Sequence, residues 1–481
     1  AIAKQKGAKL VCVDPRHNET AILAHEWLPI KPGTDLALLL AMIHVMIDEE
    51  LYDREFVANH TVGFDRLEME SVNYPPEWAE RVCEIPAETI RRLTREMAAR
   101  KPRALIHRGY HGAFGSQYLN SFQTARALAV ANALLGNINR TGGIYFQQVA
   151  ELGELAPTHP VPEGPRVPKA CGTGTPGRYP LGAYGDGISH AIPELALRGI
   201  LKAGFVYHHN PLRTNPNPKR VIAGYRNLEL LVVIDPVLSE TASIADYVLP
   251  ASFYLETDEA VDNRHAGKHA QVTMQQKVVE PLFDTRSGFQ IIKDLAHALG
   301  VGRYFDFTLD EANELRLKPF GVTLAELKKE GLLNVGEPWK EGFASVGTPS
   351  EKVEIYCETL QRLGYAPLPR WEDPLMSPEE NDPHSFRLIH GKQAWHTHAM
   401  TANTPYLMEI TKRYDGMRLL INRSRAEAIG VKDGDLVSIS SMVGGGKIHV
   451  RLTEGLHPSC VWMPSGYGIF SKHLTTAYDQ G

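Results

Sequence analysis

Residues 11–16 read Val-Cys-Val-Asp-Pro-Arg, and residues 231–235 read Leu-Val-Val-Ile-Asp. Each begins as a short apolar run that predicts a buried β-strand, and the aspartate at its end leads into a polar loop. A carboxylate can accept hydrogen bonds from two neighbouring N–H or O–H donors, such as those of a guanine edge or a ribose. Two such elements in one chain predict a ligand with two nucleotide ends.

The sequence around these two elements alternates predicted strands and helices. Pro32-Gly33-Thr34-Asp35 follows the first element, and Ser239-Glu240-Thr241-Ala242 follows the second. Predicted helices are Thr34–Glu50, Pro86–Arg100 and Ser121–Leu135, with a predicted strand at Ala104–His107. This alternation predicts a mostly parallel sheet whose ligands lie beyond the carboxyl ends of the strands. Asp14, the glycine-bearing loop Gly109–Gly115 and Asp235 all fall at predicted strand ends.

The last hundred residues have a different character. Acidic, proline-bearing sequence at Trp371–Pro383 predicts a linker, after Pro- and Gly-rich sequence at Gly153–Gly187 and a polar, irregular segment at Asp258–Pro281. Helices are predicted at Ile291–Leu299 and Leu324–Glu330. The short strands predicted beyond the linker are Arg387–His390, Met417–Ile421, Leu436–Ser441, Ile448–Leu452 and Ser459–Met463. They favour a separate β-rich barrel.

Length and composition narrow the class of protein. A chain of 481 residues predicts two to four domains, and a net charge of −5 gives no indication of nucleic-acid binding. No stretch of 18 apolar residues is present, so a membrane span is not expected. The five cysteines are scattered and form no CxxC pair, which argues against a zinc site or a local iron–sulfur site in these residues.

Each motif alone also has an ordinary structural interpretation. Asp14 and Asp235 could be turn residues or helix caps, and Asp35 could cap the helix that follows it. His107, His111, His396 and His398 lack carboxylate partners at matching spacing, so exposed or satisfied histidines are the simpler interpretation. The ordered set of motifs favours a functional role.

That set resembles the catalytic subunits of the dimethyl sulfoxide reductase family, in which molybdenum or tungsten is held by two molybdopterin guanine dinucleotides. Val11–Arg16 and Pro32–Asp35 match the guanine-side elements of one half of that family's fold. The other matching stretches are Leu134–Asn137 with Thr141–Gly143, Asn210–Leu212, Asp235–Pro250, His396–Asn403 over the pterins, and the barrel signature Ala426–Asp435. They follow the family's order over nearly the whole chain.

The resemblance implies an α/β fold with two Rossmann-like parallel-sheet domains, residues 1–165 and 166–383, and a six-stranded double-psi-like β-barrel, residues 384–481. One guanine would be anchored by Asp14, Arg16, Thr34 and Asp35. The second nucleotide half and the glycine loop would contribute Gly109, Tyr110, Asn210, Pro211, Asp235, Ser239, Glu240 and Thr241. Trp395, His396, Thr397, Met400 and Thr401 would close over the pterins, with Arg108 and His111 as cationic groups near an anionic substrate.

Within the family the sequence is most similar to polysulfide and thiosulfate reductase large subunits, on Gln123–Arg126 and Thr401–Leu407. This similarity implies reduction of a small inorganic sulfur compound in anaerobic respiration. The expected partners are an iron–sulfur electron-transfer subunit and a membrane anchor subunit, without nucleic acid. The expected location is the periplasmic or extracytoplasmic face of the membrane, with the cytoplasm as the alternative.

Two family features are absent from residues 1–481: the cysteine cluster of a [4Fe–4S] centre and the protein ligand of the metal. We expect both upstream of residue 1, in a longer catalytic subunit, so no metal ligand is assigned within this chain. The same scaffold also leaves open formate dehydrogenase and arsenate, tetrathionate or nitrate reductase.

Two further alternatives are less favoured. The large iron–sulfur subunit of respiratory complex I resembles this family without molybdenum, but both nucleotide loops and the Trp395–Asn403 segment are retained here. An NAD-dependent dehydrogenase requires G-x-G-x-x-G directly after a strand, and the loop Gly109–Gly115 has the wrong spacing.

Overall fold

The structure, a computed structural model, describes residues 2–107, 119–155, 169–173, 179, 187–264, 267–374, 382–398 and 400–476. Its strands are β1 (Val11–Val13), β2 (Glu26–Leu28), β3 (Thr61–Val62), β4 (Ala203–Tyr207), β5 (Leu230–Asp235), β6 (Tyr247–Pro250), β7 (Asp262–Arg264), β8 (Ala270–Thr273), β9 (Leu332–Val335), β10 (Val353–Glu354), β11 (Arg387–Gly391), β12 (Leu419–Asn422), β13 (Leu436–Ser440), β14 (Gly445–Thr453) and β15 (Cys460–Pro464).

The α-helices are α1 (Ile2–Gln5), α2 (Glu19–Leu23), α3 (Asp35–Asp48), α4 (Arg54–His60), α5 (Phe64–Ser71), α6 (Pro76–Cys83), α7 (Ala87–Ala98), α8 (Ser121–Leu134), α9 (Ile192–Leu197), α10 (Pro211–Thr214), α11 (Pro218–Arg226), α12 (Gly288–Ala298), α13 (Leu309–Leu317), α14 (Leu324–Glu330), α15 (Glu358–Arg362), α16 (Pro405–Arg413) and α17 (Arg423–Ala428). None of those in the described ranges is long and apolar enough to cross a membrane.

The chain divides into two compact units, each assembled from separate stretches of sequence. Unit 1 comprises Ala1–Tyr145, Glu341–Ala394 and Thr411–Ser465, and unit 2 comprises Phe146–Lys340, Trp395–Ile410 and Gly466–Gly481. The predicted domain bounds at residues 165 and 383 stay predictions.

The core of unit 1 forms around α3. Its run Leu36–Ile47 is apolar on almost every side, so the helix must be covered all round, and α6, α7 and α8 pack against it. Beside this core, β1 pairs in parallel with β2, with Val11 opposite Glu26 and Val13 opposite Leu28. The predicted helices in this region are confirmed with ends shifted by one or two residues.

Unit 1 also contains the sheet formed by the C-terminal strands. Its order is β11-β15-β12-β14-β13, and it mixes parallel and antiparallel neighbours. Leu419, Ile421, Val450 and Val461 pack together in one small core. The predicted β-rich C-terminal region is therefore confirmed, with five strands in the described residues where the resemblance implies six.

Unit 2 contains a three-stranded parallel sheet in the order β4-β5-β6. The central strand β5 is buried from Leu231 to Asp235, and α9 and α11 supply part of the apolar cover. This confirms the predicted parallel sheet in this half of the chain. The predicted irregular segment Asp258–Pro281 instead contains β7 and β8, which form an antiparallel sheet with β9.

The strand predicted at Ala104–His107 is wrong. The N–H of Ile106 donates to Asn132 Oδ1 at 3.0 Å, and its carbonyl accepts from Asn132 Nδ2 at 2.9 Å. The carbonyl of Ala104 accepts from Asn137 Nδ2 at 2.6 Å. Side chains of α8 and its C-terminal loop therefore satisfy backbone groups that a neighbouring strand would otherwise pair.

Candidate functional site

The first aspartate turn, residues 14–18, follows β1 directly in unit 1. Asp14 Oδ1 accepts from the N–H of Arg16 at 2.7 Å, and Oδ2 accepts from Asn18 Nδ2 at 2.8 Å. The amide oxygen of Asn18 in turn caps α2 by accepting from the N–H groups of Thr20 and Ala21. The turn is thus tied to the strand behind it and to the helix ahead of it.

The carboxylate of Asp14 has acceptor positions left for two further hydrogen-bond donors. An ionised carboxylate has about four acceptor positions, and the two hydrogen bonds above use one on each oxygen. Burial raises the pKa of Asp14 above its ordinary value, although the bond from the Arg16 N–H and the charge of Arg16 oppose that rise. A ligand that donates two parallel hydrogen bonds would favour the ionised form.

Arg16 lies beside this carboxylate and is held by an aromatic ring. Its guanidinium carbon lies 4.5 Å from the ring centroid of Trp462, and its Nη2 lies 3.4 Å from Glu19 Oε2. The side chain is half-buried, and a cation over a tryptophan face is well placed to accept an anion on its free edge.

The backbone of the first aspartate turn pairs with a segment near the C-terminus of unit 1. The N–H of His17 donates to Gly455 O at 2.8 Å, and the N–H of His457 donates to Pro15 O at 2.8 Å. The buried His457 ring contacts Glu84 through Nε2 at 3.1 Å, and this bond lowers the pKa of Glu84 to about 2. Two backbone hydrogen bonds therefore hold the turn in place, and the contact between His457 and Glu84 fixes the segment that makes them.

Thr34 and Asp35 lie at the start of α3, seven residues after the end of β2. Gly33 has a φ of +84°, which favours glycine, and Thr34 Oγ1 donates back to Lys31 O at 2.6 Å. The buried Thr34 hydroxyl therefore closes the turn rather than capping the helix. Because β1 and β2 are parallel neighbours, Asp14 and this helix start follow the same sheet edge.

The second aspartate turn, residues 235–239, follows β5 in unit 2 and repeats the pattern of the first. Asp235 Oδ1 accepts from the N–H of Val237 at 3.0 Å, and Oδ2 accepts from Ser239 Oγ at 3.0 Å. Asp235 is only 8% exposed, and its burial raises the pKa of the carboxyl above the ordinary value. One acceptor position again remains on each oxygen.

Four other predicted residues of unit 2 lie close together, and their polar side chains bond mainly to one another or to backbone groups. Asn210 Oδ1 accepts from Thr241 Oγ1 at 2.8 Å, and Asn210 Nδ2 donates to Glu240 Oε2 at 2.7 Å. The fully buried Glu240 also accepts from the N–H of Phe470 at 3.0 Å. Pro211 is buried at the start of α10. The structure brings these residues together as the framework of the loop, with their polar atoms already paired.

Two donors that sequence reasoning missed lie just beyond Asn210. Arg213 Nε and Asn215 Nδ2 are buried and have no hydrogen-bond partner within the described ranges. Burial lowers the pKa of Arg213, and the nearby Glu240 carboxylate opposes that change. A buried unpaired donor is costly, so an anion supplied from outside would suit this pair. The sequence did contain a signal for this anion site, since the cationic Arg213 follows Asn210 by three residues.

Residues 395–398, 400 and 401 of the predicted pterin-covering segment lie in unit 2, and two of them bond to Thr401. Thr401 Oγ1 lies 3.0 Å from His396 Nδ1 and accepts from the N–H of Thr397 at 2.9 Å. His396 is 5% exposed, its burial lowers its pKa, and its ring packs edge-on against Tyr467. Met400 is exposed and Trp395 is half-buried. Arg108, Gly109, Tyr110 and His111 lie outside the described residues, and the covering role stays a prediction.

Comparison with known families identifies the family of this chain. The family described as "Molybdopterin oxidoreductase" matches residues 1–298, and the one described as "Molydopterin dinucleotide binding domain" matches residues 386–478. This chain belongs to the molybdopterin oxidoreductase family. The resemblance to the dimethyl sulfoxide reductase family is thereby confirmed, and the chain is part of an enzyme.

Relatives of this molybdopterin oxidoreductase differ in the reaction that their names give. The thiosulfate reductase molybdopterin-containing subunit PhsA of Salmonella typhimurium is 33% identical over all of this chain and 67% of the relative. The F420-dependent formate dehydrogenase alpha subunit of Methanocaldococcus jannaschii is 29% identical over 96% of this chain and 68% of its own.

The solved acetylene hydratase from Pelobacter acetylenicus superposes with a TM-score of 0.83 at 26% identity, covering 99% of this chain and 70% of that one. Its similarity confirms the α/β fold with a C-terminal mixed sheet. The molybdopterin oxidoreductase chain spans 55% to 70% of the length of the first relatives it matches.

The residues of this molybdopterin oxidoreductase fit a molybdopterin dinucleotide. Each aspartate turn offers two acceptor positions for the edge of a base. The unpaired buried donors of Arg213 and Asn215 suit the negative charge of a diphosphate. These acceptors and donors therefore match the base and the diphosphate of such a ligand, and none of them selects the metal.

Proposed function

We propose that this chain belongs to the catalytic subunit of a molybdenum enzyme that reduces polysulfide or thiosulfate and holds two molybdopterin guanine dinucleotides. The proposed reaction is supported by the 33% identity to a thiosulfate reductase subunit, which extends over the whole of this chain. The two aspartate turns support the choice of guanine, since its N1–H and N2–H groups form a parallel donor pair.

The chain's own residues would bind and orient the cofactor. Asp14 and Asp235 would each accept two hydrogen bonds from one guanine. Arg16 would lie beside the phosphates of the first dinucleotide and Arg213 beside those of the second. When bound, the cofactor's metal would supply the two electrons that reductive S–S cleavage requires. Thiosulfate plus two electrons and one proton gives sulfite and hydrosulfide, so both products leave as anions.

The protein environment suits a cofactor that must stay bound through many turnovers. Asp235 is buried and Asp14 is half-buried, and carboxylates shielded from water form strong charge-assisted hydrogen bonds because water competes poorly for them. We further propose a [4Fe–4S] cluster in the complete subunit, an iron–sulfur partner subunit as electron donor and a membrane anchor. The proposed location is the extracytoplasmic face of the membrane.

The experiment is an electron-consumption assay on the complete enzyme with its partner subunits. Oxidation of a reduced viologen dye is followed with thiosulfate, polysulfide, tetrathionate, nitrate and arsenate in separate reactions, and formate oxidation is assayed with the oxidised dye. We expect turnover with thiosulfate or polysulfide at least tenfold faster than with the other compounds. Preferred turnover of formate, nitrate, arsenate or tetrathionate would contradict the proposed substrate and leave the cofactor assignment intact.

A further inference from the structure

The backbone of His208, at the end of β4, adopts a conformation that histidine rarely takes. Its φ is +46°, in the left-handed region that favours glycine. The N–H of His208 donates to Ile234 O at 2.9 Å, so the residue continues the parallel pairing of β4 with β5 and lies next to Asp235. Strained backbone conformations cluster at functional sites. The position of His208 at a strand end beside a buried carboxylate therefore indicates a functional role for its side chain.

The side chain of His208 stacks on its neighbour. The rings of Tyr207 and His208 are nearly parallel, with centroids 4.3 Å apart and an angle of 8° between the planes. Both side chains are exposed. A stacked pair that is open to solvent offers the outer face of the imidazole to a further planar ring.

The charges around this pair limit what the planar ring can be. Burial raises the pKa of Asp235 and of Glu259, and His208 lies near enough to both carboxyls to oppose the rise. Burial raises the pKa of Tyr207, with a further rise from the charge of Glu259, and the charge of Glu240 adds to the rise in the pKa of Asp235. A ligand here meets carboxylates at its edge, so a base that carries hydrogen-bond donors on its edge is favoured over an anionic ring.

We propose that His208 stacks on the guanine base whose edge donates to Asp235. The inference rests on the proposed function, because it assigns a face to the base that the second aspartate turn would hold by its edge. Aromatic side chains stack on nucleobases whatever the base is. His208 would therefore slow the release of the base, and Asp235 would select guanine. A stacking role gives a reason for the left-handed backbone at this position.

The test compares three variants of the complete, cofactor-loaded enzyme. His208→Gly removes the ring and relieves the backbone, His208→Phe keeps an aromatic face, and His209→Ala removes the neighbouring exposed histidine as a matched control. The readouts are far-ultraviolet circular dichroism and the half-life of guanine retention during incubation in mild denaturant, with released nucleotide measured by chromatography. Neither readout depends on turnover.

We expect His208→Gly to fold normally and to lose guanine about tenfold faster from one of the two sites, as the loss of one stacking contact predicts. His208→Phe and His209→Ala should retain guanine within about twofold of the unchanged enzyme, as expected if an aromatic face at position 208 is what matters. Retention by His208→Gly equal to the unchanged enzyme would overturn the inference, and so would equal losses in His208→Gly and His208→Phe. Asp235→Asn separates the two levels: unchanged guanine content in that variant would overturn the assignment of Asp235 to the guanine edge, on which the inference rests.

Discussion

The two aspartate turns share one hydrogen-bond pattern but differ in the partner at the last residue of the turn. In both, Oδ1 accepts from the backbone N–H two residues on, and Oδ2 accepts from a side chain four residues on. In the first turn that side chain is the amide of Asn18, whose oxygen already caps α2. In the second turn it is the hydroxyl of Ser239, which can rotate and either donate or accept. The first turn therefore requires a carboxylate at position 14, whereas the second tolerates an amide at position 235.

The turns are also fastened differently within their own units. Backbone hydrogen bonds of His17 and His457 hold the first, together with a Glu84–His457 contact in which Glu84 is 48% exposed. The second depends on the fully buried Glu240, which accepts from Asn210 Nδ2 and from the N–H groups of Phe470 and Ser471. A single carboxylate therefore organises the second loop, whereas the first is held mainly by its backbone.

The largest effect should follow from Glu240→Gln. The glutamine amide would point its nitrogen at Asn210 Nδ2 or at the N–H of Phe470, which leaves a buried donor without an acceptor. We expect a loss of about 2–3 kcal/mol in the free energy of unfolding, measured by denaturant titration. Asp284→Asn, an exposed carboxylate of the same unit, is the control and should change stability by less than about 0.5 kcal/mol.

Asp14→Asn and Asp235→Asn should differ from each other in the same titration. The amide introduced by Asp14→Asn can accept at only one atom, so either the Arg16 N–H or Asn18 Nδ2 faces another donor, and we expect a loss of about 1–2 kcal/mol. In Asp235→Asn the Ser239 hydroxyl can reverse its role, and the burial cost of the charge disappears. That variant should be as stable as the unchanged protein or more stable.

The sign of the Asp235 effect can be checked by pH. Because burial raises the folded-state pKa of Asp235 above its ordinary 3.8, the folded protein binds the proton more tightly than the unfolded chain does. The stability of the unchanged protein relative to Asp235→Asn should therefore fall as the pH rises from 3.8 through the folded-state pKa. A relative stability that rises over this range would contradict the account of the second turn.

The smallest effect should follow from Glu84→Gln. Its carboxylate is half exposed, so solvent screening limits the contribution of its contact with His457 to less than about 1 kcal/mol. His457 lowers the folded-state pKa of Glu84 to about 2 from 4.5, so the contribution is present above pH 4.5 and is lost as the pH falls towards 2. The stability gap between variant and unchanged protein should close over that interval in acid titrations.

The sequence predicted the positions of both aspartates because their signal is local. An apolar run that ends in aspartate specifies a buried strand and the residue at its end, and β1 and β5 confirm both. The paired C-terminal strands were likewise predictable, since each carries its own β-forming residues and turn signals.

Contacts between distant residues could not be predicted in this way. Glu240 was assigned to the cofactor, yet its carboxylate bonds to residues 470 and 471, which are 230 and 231 positions away. The apolar sequence at Ala104–His107 reads as a strand, but Asn132 on α8 takes its hydrogen bonds. The left-handed backbone of His208 likewise depends on its place beside β5, which no local pattern reports.

Whether each aspartate turn holds one guanine is tested by the number of guanine nucleotides that acid releases from each polypeptide of the complete enzyme. We predict two for the unchanged protein, one for Asp14→Asn, one for Asp235→Asn, none for the double variant and two for the control Asp284→Asn. Two guanines retained in both single variants would show that neither aspartate turn holds a base and would contradict the account.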